Sequence, residues 1–490
     1  MIAKWTTKAL AAGAALAASA AMAAANITIV NLNLPGIGFN DPTPVAPVGG
    51  NPGTTLGQQR LNAFQYAASI WAAELTSTTE IQVRAQFTAL SCTATGATLG
   101  SAGPWNAWRF TAVPEGSNAV IGTWYHAALA NKIAGFDIDT LVYGENEEEI
   151  NANFNANLGN TGCLEGSGWY YGIDNNAPAN RINLVAVLLH EFAHGLGFST
   201  LTSSATGAQA GSTFTPPSPT PSRYDDFLYD SLQGRTWNAM TNAQRVASAI
   251  TPRKVAWTGA NVLSAASSVL SFGFPELAVS GAQAGASAGT YEVGGASFGP
   301  ALASPGLTAQ IMPVVDQTNG TGLACTVLSA ANRIAVRNSI ALVDRGTCSF
   351  SDKARNVQAA GAIGMIVVDN ASGGPPPGLA GTDPLVTIPA VRITLEDGAR
   401  LKAALATRSR TTSGVTGKLG VNASRLAGAD NIGRPLIYTP NPRIAGSSVS
   451  HWDQSAFRNQ LMEPNINADL TQSVKPPQDL TLPMFRDIGW

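Results

Sequence analysis

Residues Asn183 to Leu189 read NLVAVLL and run without a charged break into His190-Glu191-Phe192-Ala193-His194-Gly195-Leu196-Gly197-Phe198. A helix that is apolar all round is a buried one, and two histidines four positions apart stand one turn from each other on the same face. Two imidazoles and a carboxylate buried there without partners cost roughly a few kcal/mol, so the chain must fold in a way that gives them something to hold. A metal ion meets that demand, because both imidazoles of an HExxH helix reach one ion while the glutamate beside the first ligand stays free. Gly197 is where such a helix would break.

Zinc takes imidazole nitrogen readily, and a catalytic zinc keeps three protein ligands and one open position. The residue ten after His190 is Thr200, so the compact HExxHxxGxxH arrangement fails and the third ligand lies elsewhere. Only His126 and His451 remain of the four histidines. His126 sits beside Trp124 and Tyr125 in a stretch, Ala119 to Ala134, that reads as a helix, where a histidine is more often a packing residue than a ligand. The other candidate is His451, in GSSVSHWD over 446–453. It follows His194 by 257 positions, longer than any ordinary loop, so a folded domain must be inserted between them. With one zinc ion held by His190, His194 and a third ligand, Glu191 is placed to act as general base on a water, and peptide-bond hydrolysis is the chemistry expected.

The first residues, MIAKWTTK, carry two lysines before any acid and lead into an Ala-rich apolar run ending Ala23-Ala24-Ala25. These are the parts of a signal peptide spanning 1–25; the run is short and weakly apolar against the roughly 20 residues of a spanning helix, so no stable membrane anchor is expected. The protein is therefore read as secreted, extracellular or periplasmic. A chain of 490 residues exceeds one hydrophobic core. Only 12% of residues are charged, with 50 glycines and 29 prolines, which suits a loop-rich exported protein. A formal net charge of -2 leaves no polybasic face for nucleic acid. The four cysteines, Cys92, Cys163, Cys325 and Cys348, are even in number, and no CxxC spacing suggests a structural zinc site. Two disulfides are expected; Cys92 with Cys163 and Cys325 with Cys348 is the favoured pairing, each within one domain.

Gly57 to Leu75 has helical spacing and Ile81 to Phe87 alternates like a strand. A further helix is expected over Trp237 to Ala249. The acidic stretch Glu145-Asn146-Glu147-Glu148-Glu149 reads as a solvated loop or helix start; calcium is unsupported there, since the spaced Asp and Gly of a calcium loop are missing. Ser339 to Asn370 reads as strand, helix, strand: Ile340 to Val343, Phe350 to Ala360 with Lys353 and Asn356 outward, then Gly364 to Val368. No Gly-rich phosphate loop leads that helix, which excludes a nucleotide site.

Two resemblances follow. HEFAHGLGF, a distant His451-Trp452, Leu461-Met462-Glu463-Pro464 with its Met eleven residues further on, and a terminal Asp487-Ile488-Gly489-Trp490 together resemble the leishmanolysin-like metallopeptidases of the metzincin group. The resemblance implies a twisted sheet and central helices around a cleft, zinc on His190, His194 and His451, Glu191 as base, Gly197 at the helix break and Met462 as the Met-turn residue. The segment over 339–370, with Thr387 to Val391 and Asp397-Gly398, resembles the protease-associated (PA) domain, which implies a non-catalytic module and structural roles for Arg345 and Cys348. The expected fold class is α+β, a metzincin-like zinc protease domain interrupted by an inserted α/β PA domain: metallopeptidase over 26–279 and 431–490, PA insert over 280–430.

The function expected is that of a zinc-dependent endopeptidase acting on protein or peptide substrates. Its rival is a non-catalytic extracellular binding protein on an inactive scaffold, against which Glu191 argues, because holding a metal needs the histidines but no base. No GxSxG elbow supports a serine nucleophile, and nothing in the sequence fixes an oligomeric state.

Overall fold

Apolar residues at helical spacing and the Thr55 side chain, which accepts from Gln58 N at 3.2 Å, set the helix Leu56–Glu74. Strict alternation gives Ile81–Thr88 a strand with one face buried and the other half-buried. In the computed structural model, which describes residues 24–490 apart from 95, 145–147, 212–218, 316–321, 374, 375, 377, 380, 382 and 468, this strand is second in a four-stranded sheet. The signal peptide read over 1–25 thus lies almost wholly outside the described residues. Sheet order is Ile27–Asn31, Ile81–Thr88, Ile150–Asn155, Gly100–Pro104. The first three strands are parallel, and Gly100–Pro104 runs antiparallel at the edge, Ala102 opposite Ala152.

Two helices cross this sheet, Leu56–Glu74 and Leu184–Leu196, the latter capped by Asn183, whose side chain accepts from Val185 N at 3.0 Å. Phe64 of the first packs edge-on against Phe154 of the sheet at 4.8 Å and lies 6.0 Å from Phe192 of the second. Trp71 Nε1 donates to Leu189 O at 3.1 Å, a buried bond between the helices. Close approach has one strict requirement: a Cβ on Gly195 would stand 2.4 Å from Ile150 Cγ2, so only glycine lets the second helix sit that near the sheet. The disulfide Cys92–Cys163 ties the loops beside the edge strand.

Residues 272–426 build a second sheet of eight strands, ordered Gly289–Glu292, Phe272–Ser280, Thr416–Leu426, Leu307–Pro313, Ile340–Asp344, Gly364–Val368, Ala390–Ile393, Gly294–Gly295. Its outermost strands are separated in sequence by Val293 alone, so the sheet must curl until its edges nearly meet. The strands Leu307–Pro313 to Ala390–Ile393 are parallel, and the helices Ala330–Val336 and Phe350–Ala359 join the first three. Side chains alternate between two apolar clusters, Ala341 and Val343 facing one, Ile340 and Leu342 the other, as the two-residue period of a strand requires. Cys325–Cys348 closes a loop at the end of this sheet.

Several elements depart from the expectations. Trp124–His126 is a strand paired with Ala107–Arg109, and only Ala127–Ala134 is helical; bulky aromatics at the start of the segment favour the pleated surface. The helix expected over 237–249 is split: Trp237–Ala239 is a 3-10 turn, and Thr241 opens a new helix, Asn242–Ser248, through a capping box with Gln244. Lys353 points inward, not outward. It is fully buried, its Nζ donating to Leu323 O at 2.6 Å and Gly346 O at 2.7 Å, and Asn356 donates to Ala324 O on the same side. Helical spacing alone does not say which face the neighbouring loop will cover. In the acidic stretch, residues 145–147 lie outside the described residues, whereas Glu149 is buried and accepts from Gln82 N at 2.7 Å and Asn131 Nδ2 at 2.9 Å; its oxygens hold the sheet to a helix rather than face solvent or a cation. Phe272–Ser280, placed by sequence before the insert, is a strand of the second sheet.

Candidate metal centre

The helix Leu184–Leu196 presents His190 and His194 on one face and ends at Gly197, whose φ of 135° favours glycine and whose Cβ would lie 2.7 Å from Ile488 Cδ1. The loop that follows is fixed at once: Thr200 and Thr202 donate to the buried Asp225 carboxylate, and Thr200 N donates to Ser450 Oγ, the residue before His451. Thr200 therefore supplies no metal ligand but joins the two segments that do. At the far end Trp490 Nε1 donates to Leu196 O at 2.8 Å, and Asp487 accepts from Trp257 Nε1 and Asn261 N, so the terminal DIGW packs against the same helix end.

His190, His194 and His451 meet with their Nε2 atoms 3.2, 3.2 and 3.3 Å apart. Among the described residues they form the cluster of metal-ligating groups. Each ring offers Nδ1 to a backbone carbonyl: His190 to Leu461 O at 2.8 Å, His194 to Phe198 O at 2.7 Å, His451 to Ser447 O at 2.9 Å. A carbonyl only accepts, so Nδ1 carries the proton and every Nε2 keeps its lone pair for the centre of the triangle. Zinc–nitrogen bonds of about 2.0–2.1 Å in a tetrahedron place the nitrogens about 3.3–3.4 Å apart. The donor set therefore fits zinc, and all three histidines line one cleft.

Burial pushes the His190 imidazole down to about 4 and the His451 imidazole down to about 3, the latter helped by its neighbour His190. His194 is lowered well below the ordinary imidazole value, first by burial and then by His451 and His190. All three are neutral at pH 7, the state a metal needs.

Glu191 is buried beside the triad, and burial raises its carboxyl to about 8 while the Ala102 backbone amide bonds it from the edge strand. The strand comes this close because of Gly100: a Cβ there would lie 2.9 Å from Glu191 Cγ and 3.0 Å from Oε1. Gly100 to Ala102 forms one wall of a cleft of about 470 Å³, with Ser199, Ser447 and Glu463 on the others. Met462 is fully buried, its carbonyl accepting from Trp452 N at 2.8 Å. The turn carrying it is clamped by Asp479, which accepts from Leu461 N at 2.6 Å and Thr481 N at 2.7 Å.

Sequence reasoning did not find Gly100, Ala102 or Asp479, because their roles arise from contacts distant along the chain. His126 stands outside the triad; it is buried, and its Nε2 lies 2.7 Å from Ser199 Oγ, which lines the cleft.

A family description, "PA domain", matches residues 308–401, so the chain carries a PA domain within the second sheet. Over 78 residues the chain is 41% identical to the minor extracellular protease Vpr of Bacillus subtilis (strain 168), covering 16% of this chain and 9% of that protein. It is 42% identical over 80 residues to the ER degradation-enhancing alpha-mannosidase-like protein 3 of Homo sapiens, covering 16% and 8%. Among solved structures, an aminopeptidase from Aneurinibacillus sp. strain AM-1 aligns with a TM-score of 0.24 and 24% identity over 31% of each chain. BSAP, a zinc aminopeptidase from Bacillus subtilis, aligns with a TM-score of 0.21 and 28% identity over 33% of this chain and 36% of its own. The chain thus spans under a tenth of the curated relatives and about a third of the solved ones. A protease and a mannosidase-like protein by name share the likeness, so it singles out no reaction.

Proposed function

We propose that this protein is an exported zinc endopeptidase with His190, His194 and His451 as ligands, Glu191 as general base and Met462 in a Met-turn beneath the metal. The fold around the site is read as metzincin-like and leishmanolysin-like in the placement of its third ligand, with residues 272–426 as the insert. The observation that carries this reading is the convergence of three lone pairs at tetrahedral spacing with the Glu191 carboxyl alongside, whose ionised form a cation bound there would favour against its burial.

A zinc ion held there supplies Lewis acidity, acidifying a water and polarising the scissile carbonyl. The chain's own residues do the rest. Glu191 takes the proton from the attacking water and returns it to the leaving amine. The edge strand Gly100–Pro104 is paired on one side only, so its other edge offers the Gly100 amide and the Gly100 and Ala102 carbonyls to an extended substrate backbone, the Ala102 amide being held by Glu191. Among the described residues no Lys or Arg lines the cleft, and Glu463 has one oxygen engaged by Gln460 N and the other by Asn467 Nδ2. Nothing there is arranged to grip a chain terminus, which favours cleavage within chains. The two disulfides suit an oxidising compartment outside the cytoplasm, and among the described residues no helix is long and apolar enough to cross a membrane.

The test is zinc content and casein proteolysis of the purified chain beside Glu191→Ala and His451→Ala. The reading requires bound zinc without activity in Glu191→Ala, and loss of both in His451→Ala. A wild type that binds zinc and cleaves nothing across diverse proteins would replace it with the binding-protein reading.

A further inference from the structure

A second cavity, of about 860 Å³, lies between the PA-bearing sheet and the chain segments that lead to and follow His451. One wall is Phe272 and Phe274 with the Gly294–Gly295 edge; the other comes from Tyr438 to Ile444 and Asp453 to Asn459. Ile444 lines both this groove and the metal cleft, so the two concavities adjoin at that side chain.

Three large apolar side chains stand open to solvent around it, Phe272 and Phe457 each 60% exposed and Ile444 45%. Scattered exposed apolar residues are ordinary, but three on the rim of one concavity mark an interaction site. The charged residues of the lining, Arg253 and Asp453, face each other at 3.6 Å, and Arg253 also reaches Glu292 at 3.1 Å. The wall is thus close to neutral and offers no unpaired charge to a charged ligand. Its many Gly, Pro and Ala residues leave room for an occupant's side chains, and its volume falls in the usual range of ligand sites.

We propose that this groove docks an extended, uncharged, apolar stretch of the same polypeptide whose scissile bond lies at the metal. The inference rests on the peptidase reading for the occupant's identity, since Ile444, common to both linings, puts the groove beside a chain lying in the cleft. Phe272, Phe457 and Ile444 would close over its apolar side chains, so the protein would select unfolded apolar segments at a distance from the bond it cuts.

The test uses the full chain carrying Glu191→Gln, so that binding is read without turnover. The probes are two fluorescently labelled unstructured peptides long enough to span cleft and groove, one rich in Ala, Leu and Phe, the other in Ser, Asn and Gly. By anisotropy the apolar peptide should bind about tenfold more tightly than the polar one. Phe272→Ser with Phe457→Ser, or Ala301→Trp filling the groove from an exposed position, should each remove about that factor, with the unfolding midpoint checked to show that the fold is intact. Equal binding of the two peptides, or binding indifferent to both variants, would overturn the proposal. So would self-association that Ala301→Trp abolishes in a chain that binds neither peptide, because the occupant would then be a second copy. Should casein cleavage be absent while the apolar peptide still binds through the groove, the peptidase reading falls and the docking site stands.

Discussion

Replacing Gly100 with alanine adds a single methyl group at the cleft wall, on a residue that is no ligand and touches no histidine nitrogen. That methyl would lie 2.9 Å from Glu191 Cγ and 3.0 Å from Oε1, against the 3.5–4.0 Å or so of an ordinary contact. Glu191 is enclosed, so relief comes from moving its carboxylate, or the strand, by roughly 0.5–1 Å. A misplacement of that size at a reacting centre costs about a hundredfold in rate, or about 2.7 kcal/mol of barrier, and overpacking costs about 1–3 kcal/mol of stability. Zinc content should stay at the wild-type value, because the three Nε2 atoms and their carbonyl partners are untouched. The assay is kcat and kcat/KM on a fluorogenic peptide, beside zinc content and the urea midpoint. A variant that keeps its zinc and works within threefold of wild type would refute the argument that this glycine makes room for a base.

Three further outcomes follow from the same contacts. Asp479→Ala releases Leu461 N, and with it the carbonyl that orients His190; zinc affinity, measured by chelator competition, should fall about tenfold, and an unchanged affinity would show that the turn holds itself. Glu149, raised to about 7 chiefly by burial against the hydrogen bonds that oppose it, binds its proton more tightly folded than unfolded, so its contribution to stability is full below about 4.5 and is lost as pH rises through 7. Urea midpoints between pH 5 and pH 8 should therefore fall less steeply in Glu149→Gln than in wild type; parallel profiles would contradict the assignment. Lys353→Met keeps the stem but leaves Leu323 O and Gly346 O without their ammonium donor, and chemical denaturation should report a loss of about 2–4 kcal/mol.

The helix of His190 and His194 was legible because its pattern is local: spacing alone sets the two histidines on one face, and the apolar run before them sets burial. That His451 lies against them was suggested by a different route, the few histidines in the chain and the resemblance of its surroundings. The strand–helix–strand core of the PA segment was readable from continuous apolar runs, whose elements the structure places at Ile340–Asp344, Phe350–Ala359 and Gly364–Val368. What stayed hidden depends on tertiary neighbours. Nothing near Gly100 in sequence announces a carboxylate ninety residues on, and the direction of Lys353 is set by the loop of Leu323, not by its own helix. Trp124 to His126 shows the same limit at the level of local structure: a segment with helical spacing took a strand because Ala107–Arg109 was there to pair with it.

The strands Phe272–Ser280 and Thr416–Leu426 pair from Phe272 opposite Leu426 to Ser280 opposite Thr416, so the chain leaves the second sheet beside the point where it entered. His194 and His451 are 257 positions apart, yet once this pairing exists only about 100 residues remain to be closed, which lowers the closure cost by about 0.8 kcal/mol. On the proposed reading, a middle that is already folded therefore lowers the cost of bringing His451 to His190 and His194 by that amount, which strengthens the hold on the ion about fourfold over a chain whose insert is still unstructured.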